Sequence, residues 1–211
     1  MCEGCGRGSH MSSFSSAKDP AHGDSSMAKV VANLPFNIST DVVKQLLPMG
    51  DIFSEVSVIC SVLCHPYNPF QEEAALRFVD SSLKSSDHRP INVFVNFYSD
   101  PEYKLKEPRS NFFPQPKVDA AVVAFKLKQP ADYPNVSSLK SFFSRVNSAF
   151  NGKRKMLRKS LNHICPSTDI EAALSALNLP PTSRPEELTL ENFVKLHNLI
   201  DRYVNKITIV D

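Results

Sequence analysis

The stretch Val30-Val31-Ala32-Asn33-Leu34-Pro35-Phe36 constrains this chain most. A short β-branched and apolar run ends in Asn-Leu-Pro-Phe, and Ser39-Thr40-Asp41 follow as a helix start. Such a run predicts a strand, and the spacing after it predicts a helix over 39–47: Val42, Val43, Leu46 and Leu47 share one face, and Pro48 with Gly50 stop it. Pro35 fixes its own φ and has no N–H, so the corner between strand and helix is stiff and turns carbonyls toward whatever sits there.

A corner of that kind suits one chemistry. The exocyclic amine of a nucleobase is a poor nucleophile, because its lone pair is delocalised into the ring. The Asn33 side-chain carbonyl, with a backbone carbonyl at Leu34 or Pro35, can accept both amine hydrogens and draw the nitrogen toward tetrahedral geometry. Phe36 offers a surface on which an extruded base can stack, and base-modifying enzymes need one because the target atom is unreachable inside a duplex.

Asn33-Leu34-Pro35-Phe36 resembles the Asn-Leu/Ile-Pro-Tyr/Phe motif of S-adenosylmethionine-dependent adenine-N6 methyltransferases. Two further segments resemble the ribosomal RNA dimethyladenosine transferases in particular: Phe112-Phe113-Pro114-Gln115-Pro116-Lys117-Val118-Asp119-Ala120-Ala121-Val122-Val123, and Ala149-Phe150-Asn151-Gly152-Lys153-Arg154-Lys155-Met156-Leu157-Arg158-Lys159-Ser160-Leu161. The resemblance covers about Lys29 to Tyr203, and its wording over Phe36 to Pro48 and Thr182 to Asn198 is similar to the plant plastid branch.

The resemblance implies an α/β fold: a partial Rossmann-like class I methyltransferase sheet followed by a small C-terminal all-helical domain. It implies an atypical N-terminus over 1–28, the remaining half of a catalytic domain over 29–130, and a helical rRNA-binding domain over 131–211. It implies methyl transfer from S-adenosylmethionine to adenines near the 3′ end of small-subunit rRNA, without a metal. Asn33, Leu34, Pro35 and Phe36 would be catalytic, Phe36, Phe112 and Pro114 would hold the base, and Asn33 is the one donor contact that carries over. The partner would be small-subunit rRNA or a pre-ribosomal particle, the chain a monomer, and its place the chloroplast, although no transit peptide is evident. The family's opening strand, glycine-rich turn and acid-ended strands have no counterpart before Asn33. Gly4-x-Gly6-x-Gly8 imitates such a turn without a strand ahead of it or a helix pattern behind. The alternative reading is therefore an inactive rRNA-binding fragment without the donor site.

The rest of the chain bounds these readings. It has 211 residues, 42% hydrophobic and 22% charged, which suits one domain with a smaller companion. No apolar run approaches the ~18 residues of a membrane span, so no membrane partner is expected. Cys2, Cys5, Cys60, Cys64 and Cys165 are odd in number and fit a reducing, intracellular compartment better than a disulfide framework. Cys2 and Cys5 with Cys60, Cys64 and His65 form a weak zinc pattern, and no metal is expected. Residues 1–26 are rich in Ser, Gly and Asp and carry no apolar periodicity, which predicts no independent folding.

Glu55 to Leu63 reads as a buried strand, roughly nine residues ahead of Gln71 as an insertion, and Gln71 to Leu83 as an amphipathic helix. Ile91 to Tyr98 alternates and reads as a strand, with Asp119 to Lys128 as a second. Between them, Asn111 to Pro116 reads as a rigid aromatic loop, where pattern alone leaves Phe112 and Phe113 open as core fillers. After a linker at Gln129 to Asn135, helices are predicted over 138–150, 154–164, 169–177 and 190–203. A net charge of +2 does not argue for nucleic acid by itself. Its distribution does: Arg145, Lys153, Arg154, Lys155, Arg158 and Lys159 fall in a span without an acid. A solvated helix face is the ordinary meaning of such a run. Beside an adenine pocket it becomes a phosphate-binding surface.

Overall fold

The computed structural model describes residues 27–61, 79, 88–113, 115, 119–152 and 155–208. The inserted stretch, nearly all of the helix expected over 71–83, the cysteines before Cys60 and the Gly4-x-Gly6-x-Gly8 pattern lie outside them.

The described strands form one four-stranded sheet. β1 (Ala28–Pro35) pairs in parallel with β2 (Phe53–Ser61), β2 pairs antiparallel with β4 (Ala120–Leu127), and β4 pairs antiparallel with β3 (Ser99–Glu107), giving the order β1-β2-β4-β3. The register lines up one apolar face: Val30 with Val56 and Phe125, Ala32 with Val58 and Val123. Val43 and Leu47 of α1 (Phe36–Leu46) and the turn after it join this core, as do Val93, Val95 and Phe97 of α2 (Pro90–Tyr98). The opposite face of the sheet carries ion pairs, Lys29 with Glu55 at 3.4 Å and Lys126 with Glu102 at 3.3 Å, and it leaves Val31 75% exposed.

Three elements differ from the sequence expectation. Helix α1 begins at Phe36, directly after β1, so Ser39 is not its cap but a buried residue one turn inside. Ile91 to Tyr98 is a helix and not a strand. It lies between the sheet and the helical layer and is buried on nearly all sides, so its apolar residues carry no single-face period that would separate helix from strand. The informative signals were Pro90 at its first position and Asn92, whose Oδ1 accepts the Arg89 backbone N–H at 3.0 Å. The strand that does pair with β4 is Ser99–Glu107, which sequence reasoning missed. It is an edge strand, charged and containing Pro101, as edges commonly are.

The helical layer contains α3 (Leu139–Phe150), α4 (Leu157–Ser160), α5 (Ser167–Ala176) and α6 (Leu190–Thr208). The Oγ of Ser138 caps α3 by accepting the Ser141 N–H at 3.4 Å. The helix expected over 154–164 is only the four-residue α4. An aromatic cluster ties this layer to α2: Phe97 meets Phe142 at 5.4 Å and Phe143 at 5.3 Å between ring centroids, and Phe94 meets Phe143 at 5.0 Å.

Gly50 closes the turn between α1 and β2, where the chain passes against the end of β4. A Cβ there would stand 2.1 Å from the Lys128 carbonyl oxygen, a backbone atom that cannot swing aside. Gly50→Ala is expected to destabilise the fold by about 1–3 kcal/mol, in the range of overpacking changes. Urea unfolding measures it, and a midpoint equal to that of the wild type would contradict the packing described.

Candidate base-binding corner and nucleic-acid interface

Strand direction brings the sequence-predicted elements to one edge. β1 and β2 run in parallel, with Leu34 opposite Cys60 and Pro35 opposite Ser61 at their C-terminal ends. The antiparallel β4 starts at that same edge, Cys60 opposite Ala121, and β3 ends there, Glu107 opposite Ala120. The connection over 108–119, which carries Phe112, is therefore anchored on the same edge as Asn33 to Pro35. Only β2 separates β1 from β4, so Leu34 and Ala121 stand about 10 Å apart, two strand spacings. Ligands of open α/β sheets bind beyond the carboxyl ends of the parallel strands.

Asn33 lies two residues from the end of β1 with its side chain exposed, while Leu34 is half-buried against the core. Leu34 is thus anchored by its side chain and can offer the site only its backbone. Pro35 ends β1 and Phe36 opens α1; their side chains lie outside the described ones. Phe112 is half-buried and Phe113 fully exposed, which settles against Phe113 as a core filler. Pro114 is outside the described residues.

The aromatic connection is held by a residue that the sequence reading left without a role. The Asp119 carboxylate accepts the Arg109 backbone N–H at 3.1 Å and pairs with Lys106 Nζ at 3.4 Å. The Arg109 N–H first, and then Lys106, hold the Asp119 carboxyl below its ordinary pKa. A short turn at Arg109–Asn111 is closed by Asn111 N–H to Pro108 O at 3.1 Å, and Asn111 Nδ2 donates to Glu107 Oε1 at 2.6 Å. The available signal was an acid flanking an aromatic, proline-rich loop that otherwise carries basic side chains.

The basic turn follows α3 in the helical layer. Helix α2 enters β3 without a loop at the opposite edge, where Ser99 pairs with Leu127. Its nine residues run about 13 Å. Ahead of it the His88 ring meets Phe150, the last residue of α3, at 5.8 Å. The turn after Phe150 therefore starts beside the approach to the N-terminus of α2. It is closed by Lys155 N–H to Gly152 O at 2.8 Å. Lys155 and Lys159 are exposed, and Lys153 and Arg154 lie outside the described residues.

Two of the six predicted cations are committed to the fold. Arg145, expected to contact RNA, is corrected here: its side chain is only 13% exposed and pairs with Asp201, and Nη1 donates to His197 Nδ1 at 2.9 Å and to the His197 carbonyl at 3.2 Å. Its charge is spent inside the helical layer, a placement that charge spacing alone does not reveal. Arg158 donates to Glu171 Oε1 at 2.7 Å while about a third of its side chain stays exposed, which leaves it part of its charge for a ligand.

The Arg145 network predicts a pH dependence. Because Arg145 donates to Nδ1, that nitrogen is unprotonated, and the Nε2 proton faces Asp201 Oδ2 at 3.2 Å and Ser137 Oγ at 3.0 Å. Burial first, and then the Arg145 charge, push the His197 pKa below its ordinary value of 6.5, against the opposing pull of Asp201. The unfolded chain therefore takes up the proton at a higher pH than the folded one. The stability that neutral His197 contributes is full above about pH 6.5 and falls as pH drops from there toward the lowered folded value. Asp201, depressed by its hydrogen bonds and by Arg145, acts in a lower window, below about pH 4. Thermal unfolding at pH 7.5 and 5.5 is expected to show a lower Tm at 5.5, with the decrement reduced in His197→Gln. Equal decrements in the two proteins would contradict the assignment.

The described residues are a partial fit for a nucleoside-type methyl donor. Asn33 stands at the strand end where such a donor would reach. Neither described glycine, Gly50 or Gly152, follows a strand at this edge, so the described residues include no glycine turn of the kind that cradles such a donor.

Comparison with known proteins gives these features a context. Residues 12–202 match the family described as ribosomal RNA adenine dimethylase. The chain is 65% identical over 194 residues, 92% of its length, to the "Ribosomal RNA small subunit methyltransferase, chloroplastic" of Arabidopsis thaliana, of which this covers 54%. It is 37% identical over 175 residues to the "Ribosomal RNA small subunit methyltransferase A" of Protochlamydia amoebophila (strain UWE25), covering 83% of this chain and 57% of the relative. The chain thus spans about half the length of these curated relatives. Among solved structures, a dimethyladenosine transferase from Plasmodium falciparum superposes with a TM-score of 0.63 at 18% identity, over 80% of this chain and 64% of that one. The 23S rRNA methyltransferase ErmE does so with 0.59 at 20%, over 86% and 68%. At these identities the structural likeness shows the fold, a Rossmann-like α/β sheet with appended helices.

Proposed function

Given that this chain belongs to the ribosomal RNA adenine dimethylase family, we propose that it serves S-adenosylmethionine-dependent N6-dimethylation of adenines near the 3′ end of small-subunit rRNA. The observation that carries this reading is the convergence of the Asn33 corner and the two ends of the Phe112 connection on one edge of the sheet. Residues 29–130 are assigned the chemistry and 131–211 the hold on rRNA, with 1–28 ahead of both. The name of the Arabidopsis relative supports action in the chloroplast, on rRNA or a pre-ribosomal particle, and we assign a monomer. Among the described residues no helix is long and apolar enough to cross a membrane.

A bound donor of this class supplies an electrophilic methyl on a sulfonium sulfur. The chain's own contribution is to the nucleophile. The Asn33 carbonyl and a backbone carbonyl at Leu34 or Pro35 accept the two N6 hydrogens, which localises the nitrogen lone pair and aims it for in-line attack. The same carbonyls stabilise the positive charge that grows on N6 before its proton leaves. Phe36 and Phe112 hold the extruded ring between them, with Pro114 stiffening the second wall. Lys153, Arg154, Lys155, Arg158 and Lys159 hold the phosphates of the flanking strand, a set without Arg145.

Two titrations test the reading. Binding of a small-subunit 3′-end rRNA hairpin is expected to weaken steeply between 50 and 200 mM salt, with the logarithmic slope reduced by about one for each of Lys155→Ala and Lys159→Ala. Calorimetry with S-adenosylmethionine is expected to give a saturable heat. No donor heat beside intact rRNA binding would leave only the RNA-binding half of the proposal, and no rRNA binding would reject it.

A further inference from the structure

We propose that Phe113 is a second base platform, which stacks on the nucleobase adjacent to the target adenine in the same RNA strand. The inference rests on the reading that this edge of the sheet receives rRNA, and it adds to that reading a neighbouring nucleotide and the residue that holds it.

Phe113 is 102% exposed, and among the exposed large hydrophobic residues described it is the one aromatic. Phe112 is half-buried with φ −112° and ψ 145°, an extended conformation. Successive side chains of extended backbone point to opposite sides, so Phe112 turns toward the body of the protein while Phe113 turns away from it. The two rings cannot close on one base. If Phe112 faces the extruded adenine, Phe113 is left for the base next to it.

The described residues that lead to the ring are tied together. Asp119 holds the Arg109 amide and the Lys106 ammonium, the turn at Arg109–Asn111 is closed by backbone hydrogen bonds, and Asn111 is tied to Glu107. A solvent-facing aromatic that follows a turn held in this way stacks with less ordering cost than one on an untethered segment. Of the described neighbours of the ring along the chain, Arg109, Ser110, Asn111 and Gln115 are polar and exposed, and Phe112 is half-buried. A protein interface would call for a contiguous apolar patch. A stacked base needs one ring, with exposed cations elsewhere to hold the strand's phosphates, and Lys155 and Lys159 are exposed.

The test uses the full chain and a small-subunit 3′-end rRNA hairpin, with 2-aminopurine placed in turn on either side of the target adenine. Phe113→Ala is expected to weaken binding about tenfold and to abolish the 2-aminopurine quenching that the wild type produces at one of the two positions. Phe113→Tyr should restore both, and Tm should not move, because the ring is fully exposed. Wild-type binding with an unchanged Phe113→Ala affinity would overturn this inference and leave the rRNA reading standing. Absence of wild-type binding would overturn both. A Phe113→Ala defect confined to assembled ribosomal particles and absent on naked RNA would overturn base stacking in favour of a protein contact.

Discussion

Asn33→Ala is expected to lower the rate of methyl transfer to rRNA about 10²- to 10³-fold, while rRNA affinity and Tm stay near the wild-type values. The rate estimate follows from removing one preorganised polar group aimed at a centre where charge develops. Here the centre is the N6 nitrogen and the group is an acceptor. The separation of rate from affinity follows from position. Asn33 is exposed at the end of β1 and packs little core, and the cations assigned to phosphate lie on the turn after Phe150 and on α4. Asn33→Asp distinguishes acceptor from shape, since it keeps an oxygen acceptor at the same place while losing the amide donor. Single-turnover kinetics with saturating rRNA read the chemical step directly. A loss that appears in rRNA affinity, with the chemical step intact, would make Asn33 a binding residue and remove it from the acceptor role.

The second large effect concerns stability. Phe97 is fully buried and its ring meets those of Tyr98, Tyr133, Phe142 and Phe143. It is the point at which α2, the stretch after β4 and α3 share one core. Phe97→Ala removes the ring and leaves a cavity that three separate elements would have to collapse to fill. The expected cost is about 3–5 kcal/mol, against about 5–15 kcal/mol for a whole domain. Chemical denaturation should show a large fall in midpoint. A loss below about 1 kcal/mol would mean that the cluster is loosely packed.

What the sequence disclosed and what it hid divide along physical lines. The strand through Val30 to Leu34, β2, β4 and the helices α3, α5 and α6 carry a clean period or clear caps, and they stand within a few residues of expectation except α6, which runs on to Thr208. Ile91 to Tyr98 was misread because a helix buried on nearly every side shows the same β-branched and aromatic composition as a buried strand. Ser99–Glu107 was passed over because an edge strand is selected to look unlike one: Lys104 pairs with Glu102 within the strand, and Glu102 pairs with Lys126 of β4.

The candidate site was legible in its motifs, since Asn33, Phe112 and the basic run are local strings of residues. Its geometry was not. The shared edge depends on β4 entering antiparallel between β2 and β3, a non-local pairing. The removal of Arg145 from the RNA surface depends on Asp201 and His197, more than fifty positions away in the chain. The opposed directions of Phe112 and Phe113 depend on one pair of backbone angles.

The measurement that bears most directly on the central claim is nucleoside mass spectrometry of undermethylated small-subunit rRNA after incubation with this chain and S-adenosylmethionine. The account predicts N6,N6-dimethyladenosine in the digest of the 3′-end region, formed by the wild type and lost with Asn33→Ala. Adenosine left unmodified by the wild type, or a methyl group found on any atom other than N6, would contradict it.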